Sequence, residues 1–289
     1  MTTASPQPPS YRWPAGKRCA AVFSADVDGE SPYLWTHRHN PPGVVGELEQ
    51  RRYGPRVGIY RLLALLDDFQ LKGSLYVPGH TAQRFPALLP HCAERGHEIG
   101  CHGFLHERVD ELSAGENRRV LDRCSALFEQ QLGIQPRGYR SPSWEITLDL
   151  WQLLQSYGFL YDSSLMGYDH PYSLEGLVEV PVQWLTDDAI YFRYTSGPRD
   201  KGPPVNPKQV LESWIEEFEG LRAVGGLLMI TVHPWISGRP QRLRMLRRLL
   251  EHIRQHDDVW WATAAEVAHY HATSENLNAF DQPLELASH

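Results

Sequence analysis

The chain has 289 residues, with 28 Lys and Arg against 35 Asp and Glu and a formal charge of -7. That balance gives nucleic acid no basic footprint and points instead to a small molecule or a sugar. The length suits one large α/β domain, preferred here over two ordinary ones.

The first residues, Met1 to Gly16, contain no basic patch followed by an apolar run, and no stretch approaches about 20 apolar residues. The expectation is a cytoplasmic protein without a secretory leader, contacting neither membrane nor nucleic acid. Cys19, Cys92, Cys101 and Cys124 lack CxxC spacing and read as reduced core residues; only the neighbouring His102 sets Cys101 apart.

After an N-terminal extension over 1–17, the apolar run Arg18 to Ala25 predicts a first strand. Gly58 to Asp68 places Ile59, Leu62, Leu63, Leu65 and Leu66 on one helical side, and Gly73 to Val77 reads as the next strand. The pattern then repeats: strand Glu98 to Cys101, helix Gly115 to Leu132, strand Arg137 to Arg140, helix Ile146 to Tyr157, strand Phe159 to Asp162, strand Val178 to Val182. Helix Pro207 to Arg222, strand Leu227 to Val232, helix Pro240 to His256 and strand Val259 to Thr263 complete it, with helix stops at Gly96, Gly133, Gly158 and Gly225. Residues 269–289 read as a C-terminal tail, or an arm on another subunit, because periodicity fades from about Ser274. Seven or eight such βα units predict a closed or nearly closed (β/α) barrel of about seven parallel strands.

Chemical residues cluster at the ends of these strands. Asp26 and Asp28 follow the first, His102 the third, Arg140 the fourth, Asp162 the fifth and His233 a late one, so the loops of one barrel face would gather them. Asp28, His102 and His106 supply three ligands for a divalent cation, and Asp26 is left unattached as a base, a combination that reads as hydrolysis. Each element has a plainer explanation. Asp-x-Asp-Gly is a common turn, His-x3-His on one face of a helical turn arises by chance among 14 His, His233-Pro234 suits a core histidine, and Arg140 suits a structural ion pair.

The segment 29–56 is too long for a routine βα connection and carries Tyr33, Trp35, His37, His39 and Tyr53 around Pro41-Pro42-Gly43. It covers substrate or contacts a subunit; Tyr33 and Trp35 are candidate substrate contacts, Trp35 by stacking on a sugar or a flat imide ring, and packing within the loop is the competing reading. Trp260 and Trp261 look like strand core, and His97 looks structural or exposed.

Gly96-His-Glu-Ile-Gly-Cys-His-Gly-Phe-Leu-His106, Arg140-Ser-Pro-Ser-Trp144 and Met229-Ile-Thr-Val-His-Pro234 together resemble three ordered motifs of the polysaccharide deacetylase family, also called the NodB-homology or carbohydrate esterase 4 family. The match runs over roughly 18–268. In the first motif Val27 separates two aspartates that are usually adjacent. With Tyr161-Asp-Ser-Ser-Leu-Met166 and His233-Pro-Trp-Ile-Ser-Gly-Arg-Pro-Gln241, this variation is similar to a subgroup of cytoplasmic peptidoglycan-deacetylase-like proteins, cyclic imide hydrolases and metal-independent allantoinases.

The resemblance implies a distorted barrel, one divalent metal, commonly zinc, and hydrolysis of an N-acetyl amide. Asp28, His102 and His106 would hold the metal, Asp26 would deprotonate water and His233 would protonate the departing nitrogen. Arg140 would pair with Asp26, Asp162 would orient His233, and Trp144 would line the pocket. A homo-oligomer is also implied, with a tetramer as the candidate size and 29–56 near a neighbouring subunit.

Within hydrolysis, N-deacetylation of an acetylated amino sugar or related acetamide competes with ring opening of cyclic imides or ureides. The intact His-x3-His disfavours the metal-free ureide branch. Two other classes stand further off. Two His and one carboxylate also form the facial triad of iron oxygenases, against which stand Asp26, His233 and the βα pattern; a metal-binding module without turnover is opposed by the same two residues.

Overall fold

Strand β1, Cys19–Asp26, is buried at all eight positions, so it shows no alternation of polar and apolar residues. A strand of this kind is covered on both faces, as parallel strands in α/β folds are. The computed structural model describes residues 10–195, 197, 200 and 202–284. The further strands are β2 Ser74–Val77, β3 Glu98–Cys101, β4 Gly138–Tyr139, β5 Tyr161–Asp162, β6 Tyr172–Leu174, β7 Leu177–Glu179, β8 Leu227–Val232, β9 Val259–Trp261 and β10 Asp281–Gln282. Each of the eight apolar runs of the sequence contains or overlaps one of them.

The sheet runs β10-β6-β7-β5-β4-β3-β2-β1-β8. β1 pairs with β8 over Ala20–Ala25 on one edge; its other edge is shared by β9, which pairs with Cys19 to Ala21, and β2, which pairs with Ser24 to Asp26. All these pairings are parallel, and among the described residues only β6 with β7 is antiparallel. The strands curl into a half-barrel with helices around it. Among the described residues the strand path ends at β10 on one side and at β8 on the other, so the barrel is distorted and stays open there. The chain after β7 reaches β8 through one bridge, Asp187 to Thr231, helped by the Thr186 hydroxyl donating to Met229 O at 2.7 Å.

The helices form where the periodicity places them. Ala114–Leu132 opens with a capping box between Ser113 and Glu116 and closes on left-handed Gly133. Pro207–Val224 has Asn206 as its N-cap and ends on left-handed Gly225. Ile59–Asp68 buries Ile59, Leu62, Leu63, Leu65 and Leu66 against the sheet, the side that the spacing predicts.

The boundaries at the two ends move. Helix Ala264–Thr273 crosses residue 269, Phe280 is buried and β10 pairs with β6, so the described part of the predicted tail packs on its own chain. Residues from the predicted extension join it: Trp13 is buried, Tyr11 Oη meets His271 Nδ1 at 3.2 Å, and Arg12 N donates to Asn276 Oδ1 at 3.0 Å. Residues 1–9 and 285–289 lie outside the described residues. β6 and β10 escape a periodicity reading because they are three and two residues long. The turn joining β6 to β7 uses Glu175 and Gly176, both at positive φ, which suits a two-residue hairpin.

Candidate active site

β1 ends by delivering Asp26 and, two residues on, Asp28 to the same face of the barrel. Arg140, just past β4, comes to meet Asp26: its Nη1 donates to Asp26 Oδ1 at 2.7 Å and to Ser24 Oγ at 2.9 Å. The guanidinium is fully buried, stacks 3.9 Å from the Tyr76 ring and gives its other donors to Ser163. Burial pushes the Asp26 carboxyl up, but Arg140, His102 and His233 together outweigh it and hold the group below its ordinary range. Asp26 therefore stays ionised, with Oδ1 committed to Arg140 and Oδ2 4.0 Å from His102 Nε2.

His102 leaves β3 with its Nδ1 2.7 Å from Arg140 O. A carbonyl only accepts, so Nδ1 carries the proton and the Nε2 lone pair faces Asp28 Oδ1, 3.5 Å away. His106 Nε2 lies 3.9 Å from the same oxygen. The pair does not sit on a helical turn as the spacing suggests. Gly103 and His106 both adopt positive φ, and the chain bends back between them. Glu107 pins this bend, accepting Phe104 N at 2.9 Å and Leu105 N at 2.8 Å. Burial, only partly offset by Asp28, lowers the His106 pKa to about 4, which leaves a neutral imidazole suited to ligation.

Asp28 Oδ1 is buried and has no hydrogen-bond partner among the described residues. An orphaned carboxylate oxygen in a dry site is costly unless a cation meets it. The donor atoms of Asp28, His102 and His106 lie within 4.8 Å of one another, and two imidazoles with one carboxylate are a zinc-type set that leaves positions open. The residues fit the implied metal.

His233 closes the other flank, immediately after β8. Its Nε2 is 3.8 Å from Asp28 Oδ2, and its Nδ1 is 2.7 Å from Asp188 Oδ1, while Asp188 Oδ2 accepts His233 N at 3.0 Å. Burial disfavours the imidazolium, yet Asp187, Asp188 and Asp28 reverse that and raise its pKa well above the ordinary value. Asp187, Asp188 and His233 also lie close enough to hold an ion. They are committed elsewhere, since Asp188 already receives two His233 donors and Asp187 Oδ1 accepts Ala189 N at 2.6 Å.

Asp162 is not the partner of His233, and the expectation is corrected. In the sheet β4, β3, β2 and β1 separate β5 from β8. Asp162 instead accepts from the Ser164 hydroxyl at 3.0 Å and lies beside Glu179, its register partner on β7. Ser164 Oγ in turn accepts Ser141 N at 2.8 Å, so Asp162 supports the loop that carries Arg140.

The site opens into a cavity of about 450 Å³ whose lining includes Tyr33, Trp35, Trp144, Trp184, Arg51 and Trp235. Segment 29–56 forms helices Ser31–Thr36 and Gly46–Tyr53 over this cavity. Trp35 is stacked 3.7 Å from the Arg38 guanidinium, and Trp144 packs 4.3 Å from Trp184. Tyr53 is turned away, bonded to Gly238 O at 3.0 Å. His97 is buried with Nδ1 accepting Gly73 N at 3.1 Å, a structural role. Trp260 and Trp261 are half-buried packing on the core.

Asp188, Glu107 and Trp184 are the residues that motif reading passes over. The acidic doublet Asp187-Asp188 after an apolar run was the available signal, because the bridge to Thr231 sets it beside His233.

Fold and site together define a hydrolase on a distorted (β/α) barrel. The family model for polysaccharide deacetylase matches residues 53–161. A solved structure from Mycobacterium smegmatis, assigned as a polysaccharide deacetylase, is 38% identical and superposes with a TM-score of 0.88 over 98% of each chain. The peptidoglycan deacetylase of Helicobacter pylori is 28% identical over 282 residues, 87% of this chain and 96% of that one. The crystal structure of PuuE allantoinase, 24% identical over 92% of this chain and 95% of its own with a TM-score of 0.80, shares the fold. The chain belongs to the polysaccharide deacetylase family, whose chemistry is hydrolysis of carbon–nitrogen bonds.

Proposed function

We propose that the protein is a metal-dependent N-deacetylase of an acetylated amino sugar or a closely related acetamide. The observation that carries this reading is the buried, unpartnered Oδ1 of Asp28, met by two imidazole Nε2 atoms and flanked by an ionised Asp26 and a proton-holding His233. Asp28, His102 and His106 would hold the cation, probed first as Zn2+. When bound, a cation of this class acidifies water and polarises the amide carbonyl.

The chain's own groups divide the proton work. Asp26 Oδ2 takes the proton from the attacking water, while Arg140 occupies Oδ1 and keeps the group ionised between turnovers. His233 gives its Nε2 proton to the departing nitrogen, which is a poor leaving group until it is protonated. Asp188 fixes the tautomer by accepting from Nδ1, so Nε2 is the nitrogen that faces the site. The Trp144 and Trp184 rings in the lining suit the apolar face of a sugar. Four free, buried cysteines suit a reducing compartment, so soluble acetamido sugars are favoured over finished cell wall.

The test is acetate release by metal-analysed protein from N-acetylated amino sugars, run beside cyclic imides and ureides. Acetate from the sugars at a rate above ring opening is expected; ring opening alone would replace deacetylation with cyclic amide hydrolysis.

A further inference from the structure

We propose that Glu219, His252 and His256 form a second divalent-cation site, of zinc-class chemistry, at the end of the barrel opposite the active site. His252 Nε2 and His256 Nε2 approach the same oxygen, Glu219 Oε1, at 2.8 and 3.2 Å. The three donor atoms lie within 4.8 Å of one another. Ligands about 2.0–2.2 Å from one tetrahedral ion sit roughly 3.3 Å apart, so little movement would admit the ion. Imidazole nitrogen with one carboxylate suits zinc and its neighbours rather than calcium or magnesium.

Two helices and a turn carry the cluster. Glu219 belongs to helix Pro207–Val224, His252 to the last turn of helix Pro240–Ile253, and His256 to the turn that leads into β9. Both imidazoles lean on the buried Phe218 ring, 5.9 and 5.3 Å away. The nearest competing cation is committed elsewhere: Arg222 makes two hydrogen bonds to Asp258, at 2.9 and 2.8 Å, and reaches Glu219 Oε2 only at 3.9 Å. The three side chains remain 22–36% exposed, which leaves room for a water ligand.

Position separates this cluster from catalysis. β9 pairs with the first residues of β1, whereas the active site follows the last. At about 3.3 Å per residue the two lie roughly 20 Å apart. A cation there would tie two helices to the turn before β9, so its effect falls on stability and not on the reaction.

The experiment is zinc titration of the metal-stripped full chain by calorimetry, with thermal melts, on wild type, H252A/H256A, E219Q and H102A/H106A. H252A/H256A is expected to bind one equivalent fewer than wild type, to lose the part of the zinc-dependent rise in Tm still seen in H102A/H106A, and to keep hydrolytic activity. E219Q, which keeps the shape and the hydrogen-bond acceptor, should bind that equivalent at least roughly tenfold more weakly. An unchanged stoichiometry in both E219Q and H252A/H256A, or no zinc bound by H102A/H106A, overturns the proposal.

Discussion

Asp188 receives both donors that His233 directs away from the site, the ring Nδ1 at 2.7 Å and the backbone N at 3.0 Å. One carboxylate thus sets the tautomer of the imidazole and the position of its Cα, and Asp187 Oδ1 lies 3.7 Å from the same Nδ1, its carboxyl pushed up to about 7 chiefly by burial. The consequence is a histidine that keeps its proton above the usual imidazole range.

That pairing predicts a pH profile. His233 is raised and must be protonated to act, so activity is present below its folded pKa and is lost as pH rises through it. Asp26 is depressed and must be ionised, so the acid limb, as pH falls through it, lies below the ordinary carboxylate range. Asp188→Asn should move the alkaline limb of kcat/KM to lower pH and cut turnover by roughly 10²–10⁴. A profile unchanged in that variant would remove Asp188 from the mechanism.

His102→Ala should remove the bound metal and the activity together, and stripping the wild type with a chelator should abolish turnover until zinc is returned. Metal analysis beside the rate decides it: full occupancy of the active site in the variant would contradict the ligand assignment.

Glu107 is not among the residues lining the cavity, yet it holds the bend from which His106 projects. Supporting interactions of this kind are typically worth about 10- to 100-fold in metal affinity. Glu107→Ala should weaken zinc binding by that order while leaving His106 present, and titration of the stripped protein measures it.

A close backbone approach makes a separate prediction. A Cβ on Gly58 would sit 2.0 Å from Pro234 O, next to His233. Gly58→Ala must push the Pro234–Ser237 turn outward, at a cost of about 1–3 kcal/mol for overpacking, and should lower Tm and kcat together. A loss of Tm with kcat intact would mean that this turn does not position His233.

Much of this was legible in the residues, for identifiable reasons. Buried parallel strands leave apolar runs, and helices covering them leave periodic faces such as Ile59 to Leu66, so the βα alternation could be read directly. Asp26, Asp28, His102, His106, Arg140 and His233 follow strand ends, and parallel strands bring their ends to one face. What escaped reading depends on contacts between distant segments. The β6–β7 hairpin and β10 are too short to show a period, and the open side of the barrel lies between β10 and β8, the two ends of the strand path. The role toward His233 that the resemblance implies for Asp162 is taken by Asp188, which is set beside His233 by a single bridge between distant parts of the chain. The left-handed backbone at His106 is likewise invisible in His-x3-His spacing.

The most direct measurement is acetate release from an N-acetylated amino sugar by zinc-loaded wild type, Asp26→Asn and His233→Ala, with active-site metal quantified in each. Wild type should turn over, and both variants should retain the metal while losing at least about a hundredfold in kcat. A variant that holds the metal and keeps wild-type turnover would show that these two side chains do not share the proton transfers.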